Sequence, residues 1–281
     1  MAELHADFAV TSSVDAAAPA RRLWRRIEPT ALGAGGILCL LLVWQLLPDL
    51  MPMKAGTKLF FTVPSDIAGT LWRMVATGSI WAPLGVSAAG FAVGLLLAVL
   101  VGLPLGILLG RSNALNAMCD PFITALNATP RLVFLPLLLL WFGLGLWSKV
   151  AIVFLGALFP LLINTYEGVR NADKLLINVV RSFGAGEWDI ARLVVLPNAL
   201  PFIIVGLRLA IGRAVLGVVV AEFFGAQDGF GVVMVRAASE FKVDVVFSGL
   251  IVFAALSLVM TGLVKLLEDR MTRWRPEIRN Q

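Results

Sequence analysis

"WAPLGVSAAGFAVGLLLAVLVGLPLGILLG", Trp81 to Gly110, contains no charged residue, and the nearest charges on either side are Arg73 and Arg111. A bilayer hydrocarbon core about 30 Å thick asks for roughly 20 apolar residues of helix, so this stretch reads as a membrane span with length to spare. Gly90 and Gly94, then Gly102, Gly106 and Gly110, recur along it at four-residue spacing. That spacing bares one helix face and lets another backbone approach closely, which signals tight packing and carries no activity by itself.

The same pattern repeats on both sides. Hydrophobic residues make up 59% of the 281-residue chain and charged ones only 15%, against about 45–50% and about 25% in a soluble domain. Glu28 and Asp49 bracket "PTALGAGGILCLLLVWQLLP", and from Leu132 to Tyr166 the only charge is Lys149. One helix over that second region would overshoot the membrane, so it splits into two spans at "GLGLWSK". A further span runs from Phe202 to Phe224, interrupted by Arg208 and Arg213, and "VVFSGLIVFAALSLVMTGLV" from Val245 to Val264 is the last. The expectation is an all-α polytopic membrane protein with about six spans and both termini on one side. Its divisions are a tail over 1–29, a first span over 30–48, an outer loop over 49–80, a permease-like block over 81–266 and a second tail over 267–281. Basic residues crowd the two tails (Arg21, Arg22, Arg25, Arg26; Lys265, Arg270, Arg273, Arg275, Arg279) and the 168–201 loop. The positive-inside rule makes that side cytoplasmic, with Lys54, Lys58, Arg73, Lys149, Arg236 and Lys242 outside.

Several function classes drop out. The net charge of +5 sits beside span ends, where it meets anionic headgroups, so no nucleic acid is implied. The first apolar segment lacks an A-x-A-like exit before Pro48 and reads as a retained span. Cys39 in a span and Cys119 near the inner face argue against a disulfide, and His5 alone holds no metal. No G-x-x-x-x-G-K-[ST] occurs, so the chain carries no phosphate-cradling loop of the P-loop type and no cofactor of its own is expected. An embedded enzyme lacks a nucleophile–base pair or acidic cluster. An ion-coupled secondary transporter lacks carboxylates in the lipid-deep parts of its spans. It stays as an alternative beside an ABC exporter permease.

Local features refine the picture. Within "VPSDIAGTLWRMVATG", Ser65 can cap an interfacial helix bearing Ile67, Leu71, Trp72 and Val75. The apolar run Leu132–Gly145 would rise only about 21 Å, so the crossing must borrow residues before Pro130. Either a proline-interrupted helix has Arg131 at its break, or a loop precedes a short tilted helix. Arg213 lies mid-depth in the fifth span and must face protein or water. It either attracts an anion or binds helix-end carbonyls or a neighbouring subunit. Arg208 and Glu222 can snorkel to opposite surfaces. At 100° per residue Arg208 and Arg213 point about 140° apart, so they do not grip one ligand. Candidate path residues are Arg131, Asn164, Tyr166, Arg213 and Glu222.

The inner loop 168–201 is the odd segment. Asn171 or Asp173 can cap a helix with Leu175, Leu176, Val179, Val180 and Phe183 at helical spacing. Gly184 ends it, a second helix starts at "GEWDIARLVVL", and Pro197 stops that one. Two short amphipathic helices would project from the membrane.

This loop resembles the cytoplasmic EAA signature of binding-protein-dependent ABC importer permeases: EAA, three residues, Gly, nine residues, Ile-x-Leu-Pro. Asn178-Val179-Val180 occupy the EAA places, Gly184 is the glycine, and Val194-Val195-Leu196-Pro197 end the motif. The resemblance implies that Asn178, Val179, Val180, Ser182, Phe183, Gly184, Ala185, Gly186, Glu187, Leu196 and Pro197 dock into a separate cytoplasmic ATPase dimer. "TPRLVFLPLLLLWFGLG", "FPLLINTYEGVRNAD" and "VVVAEFFGAQDGFG" look like the nitrate, taurine and aliphatic sulfonate branch. The implied partners are that ATPase, a second permease subunit, in all expectation a homodimer, and a periplasmic substrate-binding protein. The implied location is the bacterial inner membrane, the cargo a small anion.

Overall fold

A computed structural model describes residues 18–50 and 60–271. Among the described residues there is no strand, five helices are long and apolar enough to cross a membrane, and one helix pair bent by 92° brings the number to six if it is counted as a single span. The expected tail up to residue 17 with His5, the loop residues Lys54 and Lys58, and Arg273, Arg275 and Arg279 lie outside the described residues.

The chain divides into two units, residues 1–68 and 69–281. The first holds helix α1 (Ala18–Leu50), which starts ahead of the expected bound at residue 30 although its apolar window is Leu32–Leu50. Within this unit Gln45 donates to Ser65 Oγ and accepts from Ser65 N, both at 3.1 Å, and Trp44 Nε1 donates to the Thr62 carbonyl. Ser65, expected to cap, is thus itself held by Gln45. It sits at the start of α2 (Pro64–Ala76), which runs on into the second unit.

In the second unit the helices are α3 (Trp81–Arg111), α4 (Asn113–Ala128), α5 (Leu135–Phe142), α6 (Leu146–Arg170), α7 (Lys174–Ser182), α8 (Glu187–Ile190), α9 (Leu196–Phe224), α10 (Phe230–Ser239) and α11 (Val243–Met271). Helix α6 is the axis. The glycine ladder of α3 lies on it: a Cβ at Gly94 would come within 2.6 Å of Val153, at Gly106 within 2.6 Å of Thr165, and at Gly110 within 2.6 Å of Val169. Ala98, fully buried, fills the missing rung. The opposite seam works the same way, with Gly206 of α9 against Asn164 and Gly217 against Val153. With a helix on each side, α6 buries Val153, Ala157 and Leu161, and these belong to the main core with Ala210, Ala214 and Val218 of α9.

The region expected as the third span forms two helices with a bend at Thr129–Pro130. Ser112 caps α4 by accepting from Leu115 N, and the helix stops at Ala128. Thr129, extended as a residue before proline must be, turns the chain into Pro130. A 3-10 turn over Arg131–Phe134 then leads into α5, and the two halves meet at 92°. Gly143 (φ 71°) and Gly145 (φ 148°) make the turn from α5 to α6, at the "GLGLWSK" split.

One boundary differs from expectation. Pro197 does not end a helix. It sits in the first turn of α9, and the chain winds continuously from Glu187 to Phe224 through a π-helical segment at Ala191–Val195. The Leu196 amide reaches back five residues to the Ala191 carbonyl. That loosened turn makes room for a proline ring that a regular α-helix would reject.

Candidate functional site

The α7–α8 projection is built from a small core and an open face. Asp173, one of the two candidate caps, accepts from Leu175 N at 2.8 Å and starts α7. Gly184 closes it with φ 82°, a conformation a side chain resists. Asp189 Oδ2 accepts from Gly186 N and opens α8. Val180 and Ala185 pack with buried Val169, Ile190 and Val195. The other face is bare: Phe183 is 87% exposed, Trp188 72% and Leu175 71%. Asn178, Val179, Ser182, Gly184, Gly186 and Glu187 are exposed beside them, while Leu196 and Pro197 are half-buried at the start of α9. Glu187 bridges Arg181 at 2.9 Å and Arg111, at the end of α3, at 3.2 Å. The projection is therefore tied to α3 by charge and to α9 by continuous helix. Behind it lies a polar cavity of about 730 Å³ lined by Arg111, Arg170, Lys174, Arg181, Glu167 and Glu187 among others.

The expected path residues do not gather at one place. Asn164 Nδ2 donates to the Pro160 carbonyl, at the α6–α9 crossing. The Tyr166 hydroxyl accepts from Arg170, whose guanidinium also stacks 5.7 Å from the ring centroid. Arg208 does not simply snorkel to a surface, since it pairs with Glu268 of α11. Arg131 lines an otherwise apolar cavity beside the break between α4 and α5, and Arg213 is exposed on α9.

Glu222 departs furthest from expectation. It neither snorkels nor lines an open path, being 2% exposed and paired with Lys149, itself 1% exposed and expected outside. Ser87 Oγ, on α3, donates to the carboxylate at 2.7 Å from Oε1 and 2.9 Å from Oε2, and accepts from Phe230 N at 2.9 Å. Gly231 N donates to Oε2 at 2.7 Å, and Lys149 Nζ also donates to the Asp228 carbonyl at 3.2 Å. A charge far from water persists only when paired and hydrogen-bonded, and both are satisfied here. The glycines around it make room. A Cβ at Gly90 would strike the Lys149 side chain at 2.3 Å, and one at Gly229 the Glu222 carboxylate at 2.2 Å. The network clamps α3, α6, α9 and the start of α10 together at the end of the bundle opposite the projection. Sequence reading missed the partnership, although each charge stands alone in its apolar run.

Among the described residues no group of His, Cys, Asp and Glu could hold a metal. The geometry is one of packed apolar helices, a bent helix pair, one end held by a buried ion pair and one end with an exposed aromatic and aliphatic face.

Comparison with known proteins agrees. Residues 102–273 match the family described as binding-protein-dependent transport system inner membrane component. The chain is 35% identical over 83% of its length to SsuC of Bacillus subtilis (strain 168), whose name assigns it to aliphatic sulfonates transport, with 83% of that protein covered. It is 32% identical over 91% of its length to the taurine transport system permease protein TauC of Escherichia coli (strain K12), covering 94% of it. A chain from an inward-facing structure of the MetNI methionine ABC transporter superposes with TM-score 0.57 at 19% identity, over 69% of this chain and 98% of that one. The fold, the length of the match and its identity together make this chain a multi-pass member of the inner-membrane components of binding-protein-dependent transport systems.

Proposed function

We propose that this chain forms the translocation path of an ATP-driven importer for a small organic anion of the taurine or alkanesulfonate kind, and that the α7–Gly184–α8 projection docks on a separate cytoplasmic ATPase dimer. The observation that carries the reading is the projection itself. An aromatic and aliphatic face as open as that of Phe183, Trp188 and Leu175, held on a small core of its own, marks an interaction surface. Its link to α9 is unbroken helix from Glu187 to Phe224, so a closing ATPase pair has a direct route to the spans.

In this reading the projection and both termini face the cytoplasm, and the α10 end faces the periplasm, where a binding protein delivers cargo. ATP and magnesium are held by the ATPase. A second copy of the chain completes the path, because exposed Arg213 would cost at least about 2.5–3.5 kcal/mol against lipid. The kinship with SsuC and TauC supports the cargo class. Arg131, Asn164, Tyr166 and Arg213 are the polar side chains proposed along the path.

The test is co-purification and uptake. Phe183→Asp is expected to release the ATPase and abolish ATP-dependent uptake of taurine or alkanesulfonates while the permease still reaches the membrane. Retained co-purification with full uptake would overturn the docking assignment.

A further inference from the structure

The cavity of about 730 Å³ behind the projection collects charges from four separate helices. Arg111 is the last residue of α3, Glu167 and Arg170 lie in the last turn of α6, Lys174 and Arg181 belong to α7, and Glu187 opens α8. Four cations thus line it against two acids.

The acids do not balance them. Glu187 is shared, by Arg181 at 2.9 Å and by Arg111 at 3.2 Å. Among the described residues Arg170 and Lys174 enter no ion pair, and Glu167 bridges neither of them. Arg170 is nonetheless held in place, donating to the Tyr166 hydroxyl and stacking 5.7 Å from its ring centroid. Lys174 stands against the helix dipole, because it is the first residue of α7, where the partial charge is positive. The first turn of α7 holds no acid, and the Asp173 cap spends its Oδ1 on Leu175 N. An anion in the cavity would relieve both cations at once.

The level of the cavity agrees with that chemistry. Helices α3 and α6 end together, since a Cβ at Gly110 would lie 2.6 Å from Val169, and both are long and apolar enough to span. Arg111 and Arg170 therefore leave the hydrocarbon at the depth of the headgroup phosphates. A tetrahedral phosphate, with oxygens turned in several directions, can accept from cations on several helices, whereas a carboxylate offers two oxygens in one plane.

We propose that the cavity between the ends of α3 and α6 and the α7–α8 projection binds a phosphate-bearing anion, either the headgroup of an anionic phospholipid or a soluble phosphate ester. Occupancy fixes the projection on α3 and α6. The two Glu187 bridges do so weakly by themselves, since the Glu187 side chain is 67% exposed and exposed pairs contribute little. The site stands independently of the cargo.

The test uses the full-length chain with its co-purifying subunits, without nucleotide, in phosphatidylcholine nanodiscs at constant ionic strength, and reads amide exchange over residues 174–190. In one arm phosphatidylglycerol is titrated into the bilayer; in the other, sn-glycerol 3-phosphate is titrated into the buffer. Saturable slowing of exchange is expected in at least one arm, and the arm that responds at the lower concentration identifies the source. Arg170→Gln/Lys174→Gln should shift half-saturation about tenfold or more, the loss of two cations at the headgroup level. Lys265→Gln, exposed on α11 and outside the cavity, should leave it unchanged. No slowing in either arm would overturn the site. So would a double variant that responds like the parent, or an equal shift with Lys265→Gln, which would mark general attraction of a basic surface to anions.

Discussion

Replacing Glu222 by Gln should be the most damaging single change in the polar interior. The carboxylate accepts from Lys149, from Ser87 on both oxygens and from Gly231 N. Glutamine keeps the shape and one accepting oxygen but loses the charge, leaving the Lys149 ammonium, 1% exposed, without a counter-ion and with only neutral acceptors such as the Asp228 carbonyl. Breaking a buried ion pair from one side costs about 3–5 kcal/mol. For a chain of this size that corresponds to a melting temperature lower by on the order of 10 °C. Lys149→Met should cost a similar amount, since it strands the carboxylate. Ser87→Ala preserves the pair but removes the hydroxyl donated to the carboxylate and the acceptor of Phe230 N, so about 1.5–3 kcal/mol is expected. The double variant Lys149→Met/Glu222→Leu removes both charges and should be less destabilised than the sum of the singles by several kcal/mol, because neither partner is stranded. The assay is thermal unfolding in nanodiscs, with cysteine accessibility at Gln227 reporting whether the start of α10 has come loose. If Glu222→Gln costs less than Ser87→Ala, or if the double variant is simply additive, the reasoning that the pair is electrostatically coupled in a dry site is wrong.

Other expectations follow from single positions. Gly184→Ala meets no atom within 4 Å, so its cost is the φ 82° backbone, about 1–2 kcal/mol. Amide exchange across residues 180–190 should accelerate roughly 5- to 30-fold, with exchange in α3 and α6 unchanged. Gly106→Ala would place its Cβ 2.8 Å from the Leu162 carbonyl, which cannot give way, and should cost about 1–3 kcal/mol in thermal unfolding. Gly262→Ala, with nothing within 4 Å, should leave the melting temperature unchanged. Cysteines at Glu187 and Glu240 should label from opposite membrane faces, and labelling from one face alone would refute the proposed orientation. In the exposed turn before α11, the Lys242 hydrogen bond and charge hold the Glu240 carboxyl below its ordinary pKa, and Glu240 in turn raises Lys242. The pair's small stabilisation is thus present between the ordinary carboxylate and lysine ranges. It is lost as pH falls through the lowered Glu240 value or rises through the raised Lys242 value. Carbon NMR of Glu240 should show Lys242→Met returning it toward the ordinary range.

What could be read from sequence was whatever depends on one segment at a time. The length of Trp81–Gly110 demands a span, its glycine spacing demands a close neighbour, and the short run after Pro130 demands a break. Each requirement is met, the neighbour being α6 and the break Thr129–Pro130. The Gly184 elbow was legible for the same reason, since a glycine between two amphipathic segments is a local signal. What stayed hidden depends on the register between helices. Lys149 and Glu222 are separated by 73 positions, and nothing in either apolar run says that they lie at the same height on facing helices. Read singly, each is a charge that should reach for water. Read in register, they neutralise each other and capture the backbone of Asp228–Gly231. A lone charge in an apolar run is thus better treated as half of a pair to be sought on other helices.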